Sequence, residues 1–216
     1  DFIFLRLESD SLSSELKDFL SNARSEGRKI VLLTFSSMPI GEKHILEIAV
    51  DICKNCFPPV PDGENSKQPA FIAMCAGQDF APAEGALDAE VEELEESKQL
   101  LVLRKGAPFG VLFPEMDAIV FHGGCGVTSE AALAGKPTIT SGCLLMDQRF
   151  WAARMEELGT GSAGIPVVDM ATRDKNGKTI AVTTMMKALD SRTDIETWGA
   201  RARNVKKQLE DSRGTD

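Results

Sequence analysis

A glycine-rich segment at residues 122–126, with the sequence HGGCG, is the part of the chain best suited to chemistry. It lies between a short apolar run, residues 118–121, and a helix-favouring stretch, residues 127–134. Glycines let another group approach the backbone closely. The first N–H groups of a helix lack internal partners and carry partial positive charge. The segment therefore predicts a phosphate or diphosphate site, with a plain strand-to-helix turn as the alternative.

Two more polar turns follow apolar runs. Ser36 and Ser37 come directly after the run at residues 29–35, and residues 141–148 follow the short run at residues 138–140. The carboxyl ends of parallel strands meet at one edge of a sheet, where α/β proteins bind ligands. The three turns together predict a binding site at that edge.

Apolar runs alternate with helix-favouring stretches along the chain, which predicts an α/β fold: a doubly wound parallel sheet with right-handed crossovers and helices on both faces. Asp10 or Ser11 is expected to cap the first helix, and Asp147 a later one. Pro166 places the last strand at an edge. Six strands are expected, at residues 29–35, 70–75, 100–103, 118–121, 138–140 and 165–168.

The composition excludes several classes of protein. A net charge of −9 argues against general nucleic-acid binding, which needs a basic surface. No stretch of these residues is long and apolar enough to be expected to span a membrane, and none is expected to be a signal peptide. Five cysteines, an odd number, are expected to be free thiols in the cytoplasm. Cys53 and Cys56 have the spacing of a metal or redox site, but they lack a second ligand pair and end a helical pattern, so neither a metal nor a functional role is expected there.

The spacing of several residues resembles the donor-sugar signature of UDP-dependent glycosyltransferases with two Rossmann-like domains, the GT-B class. These residues are His122-x-Gly124, Thr128, Glu130, Gly135-x-Pro137 and Asp147-Gln148. Residues 34–39 (TFSSMP) and 147–154 (DQRFWAAR) are similar to sterol 3-beta-glucosyltransferases and related bacterial antibiotic glycosyltransferases. The resemblance covers the chain from about residue 2 to about residue 209.

The resemblance implies that the chain is the C-terminal, donor-binding half of a longer protein. Residues 1–9 would be the end of an interdomain linker, residues 10–210 the nucleotide-sugar domain and residues 211–216 a frayed tail. The N-terminal half, with the acceptor pocket and the catalytic base, would lie outside this segment. The first residue, Asp1, agrees with a segment cut from a longer chain. The segment alone is expected to be inactive.

The resemblance also implies roles for individual residues. His122 would stabilise the leaving UDP as negative charge develops; the alternative is a histidine that only ends the strand. The diphosphate would meet backbone N–H groups, with one hydroxyl from Thr128. The predicted donors are Gly124, Gly126, Val127 and Thr128.

Other side chains would hold the rest of the donor. Glu130 would bind the ribose hydroxyls, unless it is only a solvated first-turn glutamate. Asp147 and Gln148 would bind sugar hydroxyls, and Asp147 could instead be a plain N-cap. Ser36 or Ser37 would touch phosphate or the domain cleft, or be simple turn residues. The backbone around Ala107 and Phe109 would meet the uracil.

The expected activity is inverting transfer of a sugar, with UDP-glucose as the expected donor, to a lipophilic alcohol such as a sterol. No metal or other cofactor is expected, and a peripheral membrane contact of the full protein stays open. Three departures put the sugar and the donor geometry in doubt: Val111 replaces an aromatic residue, the stretch 137–147 is one residue longer, and Ser141-Gly142 replaces a proline.

Two rival functions remain open. A nicotinamide-dependent dehydrogenase would share the fold, but the glycine turn lacks the third glycine of that fingerprint. A non-catalytic nucleotide-sugar-binding or interaction module is favoured by the altered loop at residues 141–146.

Overall fold

The computed structural model describes residues 11–35, 38–76, 78, 85–141 and 146–213. The predicted linker at residues 1–9, the turn residues Ser36 and Ser37, and the last three residues of the predicted tail lie outside these ranges.

A sheet of five parallel strands in the order β3-β2-β1-β4-β5 forms the centre of the fold. Every residue of the strands is buried, as expected for a parallel sheet covered on both faces. The α/β fold class predicted from the alternating runs is confirmed. The strands are β1 (Ile30–Thr34), β2 (Ala70–Met74), β3 (Leu100–Leu103), β4 (Ala118–Phe121) and β5 (Thr138–Thr140).

Helices cover both faces of this sheet. Val31 and Leu33 of β1 face the core beneath α2, α3 and α8, whereas Ile30 and Leu32 face the core beneath α1, α4 and α5. The helices are α1 (Ser14–Ser25), α2 (Glu42–Asn55), α3 (Ala86–Glu96), α4 (Phe109–Leu112), α5 (Cys125–Ala134), α6 (Met146–Glu157), α7 (Val167–Met170), α8 (Ile180–Ala188) and α9 (Trp198–Arg213). A 3₁₀ turn, Phe113–Glu115, follows α4 directly.

The predicted sixth strand at residues 165–168 is wrong. Ile165 donates its N–H to the carbonyl of Thr140 at 2.8 Å, and Pro166 then caps the short helix α7. Gly161 instead pairs with the edge of β5, through a single parallel bridge to Thr138. The β-branched residues of this stretch favour a strand locally, but their position past the end of β5 leaves them no strand to pair with.

Three helix ends also differ from the sequence predictions. Ser13, not Ser11, caps α1, and its hydroxyl accepts the N–H of Leu16, while the other predicted cap, Asp10, lies outside the described residues. Asp147 lies inside the first turn of α6, after Met146. The last helix continues to Arg213, so the tail predicted to fray from residue 211 is helical that far.

No helix in the described part of the chain has the length and apolar character needed to cross a bilayer.

Candidate functional site

The site lies where β4 ends and α5 begins, at the carboxyl edge of the sheet. Gly123 has a φ of +88°, which glycine adopts without strain. Gly124 is the N-cap of α5 and has no side chain to bond the first turn. The first N–H with a helical acceptor is that of Thr128, which donates to Gly124 O at 3.0 Å. The N–H groups of Cys125, Gly126 and Val127 therefore have no acceptor within the helix.

Both glycines allow close contacts that a side chain would prevent. A Cβ at Gly123 would lie 2.7 Å from Cγ2 of Thr140 and 3.1 Å from the backbone oxygen of Gln148. A Cβ at Gly124 would lie 2.4 Å from Nε2 of His122. The turn is thus held tightly between β5, α6 and the histidine ring. The glycines are required by packing whether or not a ligand binds.

His122 is half-buried, directly after β4. Burial lowers the pKa of its imidazole, and the nearby charge of Asp147 opposes that shift. The ring is therefore neutral at neutral pH, with a single N–H to donate. Its Nδ1 is buried and has no hydrogen-bond partner among the described residues. This nitrogen is therefore a buried polar atom whose hydrogen-bonding capacity is not used within the described residues.

Thr128 does not fit the role predicted for it. Its side chain is buried, and its hydroxyl donates to Gly124 O at 2.9 Å. Its N–H donates to the same carbonyl. Since both protons are already used, Thr128 supports the start of α5 and has no proton free for a phosphate. The amides of residues 124–127, which include the predicted donors Gly124, Gly126 and Val127, are the remaining donors of this turn.

A small pocket of about 190 Å³ opens beside the histidine. Gln148 of α6 lies at its wall and is buried, with its Nε2 3.4 Å from Sδ of Met38. Asp147, one residue earlier, is exposed. The structure thus brings His122 and Gln148 together, as predicted. The full lining is Met38, Ile40, His122, Ser141, Gln148, Pro166, Val167 and Val168.

Gln78 is a residue of this edge that the sequence reasoning missed. Its Oε1 accepts the N–H groups of Ile40 and Gly41, both at 3.0 Å, and its Nε2 donates to Met38 O at 2.9 Å. The amide therefore holds the loop after β1 against the pocket. Its position, four residues after the end of β2, could have indicated from the sequence that Gln78 lies at this edge of the sheet.

The remaining predicted residues lie around the same edge with different surroundings. Glu130 is half-buried in the second turn of α5, not the first. Ala107 and Phe109 pack against the core beneath α4. The ring of Phe109 stacks on Phe113, with centroids 4.7 Å apart. One face of this ring is therefore already covered, while Val111 is 38% exposed.

The cysteines form no site in the described residues. Cys53, Cys56 and Cys75 are free and buried, and burial raises the pKa of each thiol, to about 12 for Cys56 and Cys75. The described residues contain no group of three or more His, Cys, Asp or Glu side chains able to hold a metal. The spacing of Cys53 and Cys56 reflects the packing of α2.

The chain is similar to known proteins in both sequence and fold. No family model matches the chain. Sterol 3-beta-glucosyltransferase of Saccharomyces cerevisiae is 30% identical over 151 residues, which is 69% of this chain and 11% of that protein. The enzyme of the same name from Vanderwaltozyma polyspora is 30% identical over 157 residues, 72% of this chain and 12% of that protein. The chain thus spans about a tenth of the length of these relatives.

Among solved structures, Os79 from O. sativa in complex with UDP superposes with a TM-score of 0.60 at 15% identity, covering 94% of this chain and 40% of that one. The fold is that of one half of a GT-B glycosyltransferase, and the chain belongs to that class of protein. Within the class, it is a C-terminal, UDP-glycosyltransferase-type domain related to the sterol 3-beta-glucosyltransferases.

Replacing Gly123 by alanine tests the packing of the turn. We expect Gly63→Ala, at a φ of +86° with open space around the new Cβ, to lower the free energy of unfolding by about 1 kcal/mol. Gly123→Ala introduces the same backbone strain and also clashes with Thr140 and Gln148. It should therefore lower the free energy of unfolding by roughly 1–3 kcal/mol more than Gly63→Ala does. Urea unfolding of the two variants measures the difference. Equal losses would show that the turn is not tightly held.

The neutral state of His122 predicts a pH dependence of stability. Because burial lowers the pKa in the folded state below its ordinary value of 6.5, the unfolded chain takes up the proton first as pH falls. We expect the free energy of unfolding to fall below pH 6.5 more steeply in the wild type than in His122→Asn. Urea unfolding across that range measures both curves, and parallel curves would contradict a buried, neutral imidazole.

Proposed function

We propose that the chain binds a UDP-sugar at the carboxyl edge of its sheet, as the donor-binding half of a glycosyltransferase. The observation that carries the proposal is the start of α5, where the amides of residues 125–127 have no helical acceptor and lie beside His122, whose Nδ1 has no partner among the described residues. Donors without acceptors at a helix N-terminus suit a diphosphate. A related fold holds UDP in Os79, which supports the nucleotide.

The chemistry follows from what these groups can donate. Amide N–H groups at the positive end of α5 attract the charge that develops on UDP as its bond to the sugar breaks. A neutral His122 adds one N–H that can donate to a phosphate oxygen. These donors belong to a rigid strand, turn and helix, so their orientation does not have to be created during the reaction.

The sugar is assigned to the space beside α6. Asp147 is exposed in the first turn of α6 and can accept hydrogen bonds from sugar hydroxyls. Gln148 lines the pocket that also contains His122. A hexose held there would have its anomeric carbon near the diphosphate donors. UDP-glucose is the donor that we propose, because the relatives are glucosyltransferases by name.

A lipophilic alcohol is the proposed acceptor. The names of the relatives support a sterol. The pocket wall made by Met38, Ile40 and residues 166–168 is apolar and faces the same edge, where a second domain with the acceptor would have to approach. The base that deprotonates the acceptor is assigned to that second domain, and transfer would proceed as a single inverting displacement.

A ligand panel tests the donor assignment on this chain. Thermal unfolding is followed with UDP, UDP-glucose, UDP-GlcNAc, GDP-mannose and NAD. A ligand that binds only the folded state raises the melting temperature. We expect UDP and UDP-glucose to raise it and NAD to leave it unchanged, and a shift with NAD alone would indicate a dinucleotide-binding domain.

Turnover tests the role of His122 in a full-length protein that contains this chain. We expect His122→Ala to lower the rate of glucose transfer by about one to three powers of ten, since it removes a donor to the leaving group. The matched control is His44→Ala, because His44 is exposed on α2, where its Nδ1 lies 3.2 Å from a carboxylate oxygen of Glu47. A rate within about twofold of wild type for His122→Ala would remove this role.

A further inference from the structure

A second, larger pocket of about 380 Å³ lies at the opposite, amino edge of the sheet. Its wall is made by the residues that precede β1, β4 and β5, the end of α5, the loop after α8 and the first turns of α9. The four residues of β4 separate this edge from the glycine turn, a distance of about 13 Å along an extended strand. It is therefore a different place from the proposed donor site.

Basic side chains outnumber acidic ones around this pocket, although the chain as a whole has a net charge of −9. The basic residues are Lys29, Lys136, Arg192 and Arg203, and the acidic residues are Asp117 and Asp190. Positive charge concentrated in one concavity of an acidic protein indicates a site for an anion.

Both acidic residues already have partners. Asp117 accepts from Nη1 of Arg24 at 2.6 Å and from the N–H of Ile30 at 2.7 Å. Asp190 accepts from Arg192, with the shortest contact at 2.6 Å. Neither carboxylate is bonded to Lys136 or Arg203. Those two residues therefore have no ion-pair partner within the described residues, although the carboxylates of Asp117 and Glu115 lie near enough to Lys136 to act on its charge.

Lys136 is the most informative of these groups. It lies half-buried between α5 and β5, and no ion pair or hydrogen bond of its ammonium is found in the described part of the chain. Removing an ammonium group from water without a partner is costly. Burial accordingly lowers the pKa of Lys136. A bound anion would supply the missing partner.

Arg203 faces the same space from α9. A Cβ built on Gly199 would lie 3.5 Å from Nη1 of Arg203, so the guanidinium reaches back over the first turn of its helix, beside the pocket. A planar guanidinium can donate two parallel hydrogen bonds to a phosphate, and an ammonium supplies a compact charge next to it. The pocket volume exceeds what one phosphate group needs, and Ser191 and Thr193 add hydroxyls to its wall.

We propose that this amino-edge pocket binds a phosphate monoester, with Lys136 and Arg203 as its ligands for the phosphate group and the hydroxyl-lined remainder holding a small polar body. The site is independent of the donor-binding function proposed above. The same chemistry occurs in a soluble sugar or glycerol phosphate and in the head group of phosphatidic acid.

Calorimetric titration of the chain with inorganic phosphate and with glycerol 3-phosphate tests the site. We expect both to bind, and Lys136→Gln and Arg203→Gln each to weaken binding by about tenfold, because each removes a charge-assisted contact. The matched control is Lys207→Gln, which removes the same charge from the exposed side of α9 and should change affinity by less than about twofold. Thermal unfolding of all variants checks that they are folded.

Sedimentation with phosphatidylcholine vesicles, with and without phosphatidic acid, separates the two sources of phosphate. Binding to phosphatidic acid that Lys136→Gln reduces and Lys207→Gln does not would support the site with a lipid as its source. Lys136→Gln should bind UDP with the same affinity as wild type. The phosphate site and the donor site are therefore tested separately, and a chain that fails to bind UDP could still bind phosphate at the amino edge. The proposal is overturned if Lys136→Gln binds the two soluble probes and the vesicles with the same affinity as wild type. It is also overturned if Lys207→Gln loses as much affinity as Lys136→Gln does.

Discussion

The approach of two backbones, at Gly123 and Gln148, is the constraint on which the rest of the carboxyl edge depends. A Cβ at Gly123 would lie 3.3 Å from Cα of Gln148 and 2.7 Å from the methyl group of Thr140. Only a residue without a side chain allows α6 to lie directly against the turn after β4. The same contact brings Gln148 and His122 to one pocket, although they are 26 residues apart in the sequence.

The chemistry of this edge follows from its packing. Because Gly124 caps α5 without a side chain, the first amides of the helix stay available. Because His122 lies between the turn and the pocket, its ring loses water and stays neutral. The two ends of the sheet then differ in character. At the carboxyl edge the glycine turn offers backbone N–H donors, whereas the pocket at the amino edge contains the basic side chains of Lys136 and Arg203.

Much of the fold could be predicted because a parallel sheet buries both faces of each strand. The runs at residues 30–34, 70–74, 100–103, 118–121 and 138–140 are strands for that reason. The run at residues 165–168 is also apolar, yet it lies beyond the end of β5, and Pro166 caps the helix α7 that begins at Val167. The local preference of the residues for strand or helix cannot distinguish residues 165–168 from the five true strands. The difference is whether a neighbouring strand is available for pairing.

The site was predictable only in part. Residues close in sequence to the glycine turn could be identified from their types and spacing. Contacts between distant segments could not: Gln78 holds the loop at residues 38–41, and Phe113 covers one face of Phe109. The hydroxyl of Thr128 turns back to Gly124, which depends on rotamer choice within α5. Asp117 pairs with Arg24 and Asp190 with Arg192, so Lys136 has no ion-pair partner in the described residues. These pairings likewise depend on the tertiary structure.

Backbone amide NMR during a titration with UDP tests the central claim most directly, since that claim concerns the amides at the start of α5. The account predicts that the ¹⁵N–¹H resonances of Cys125, Gly126 and Val127 shift furthest among the assigned amides, and downfield, as hydrogen bonds to phosphate form. Saturation of UDP binding with those three resonances unmoved, and the largest shifts elsewhere, would contradict it.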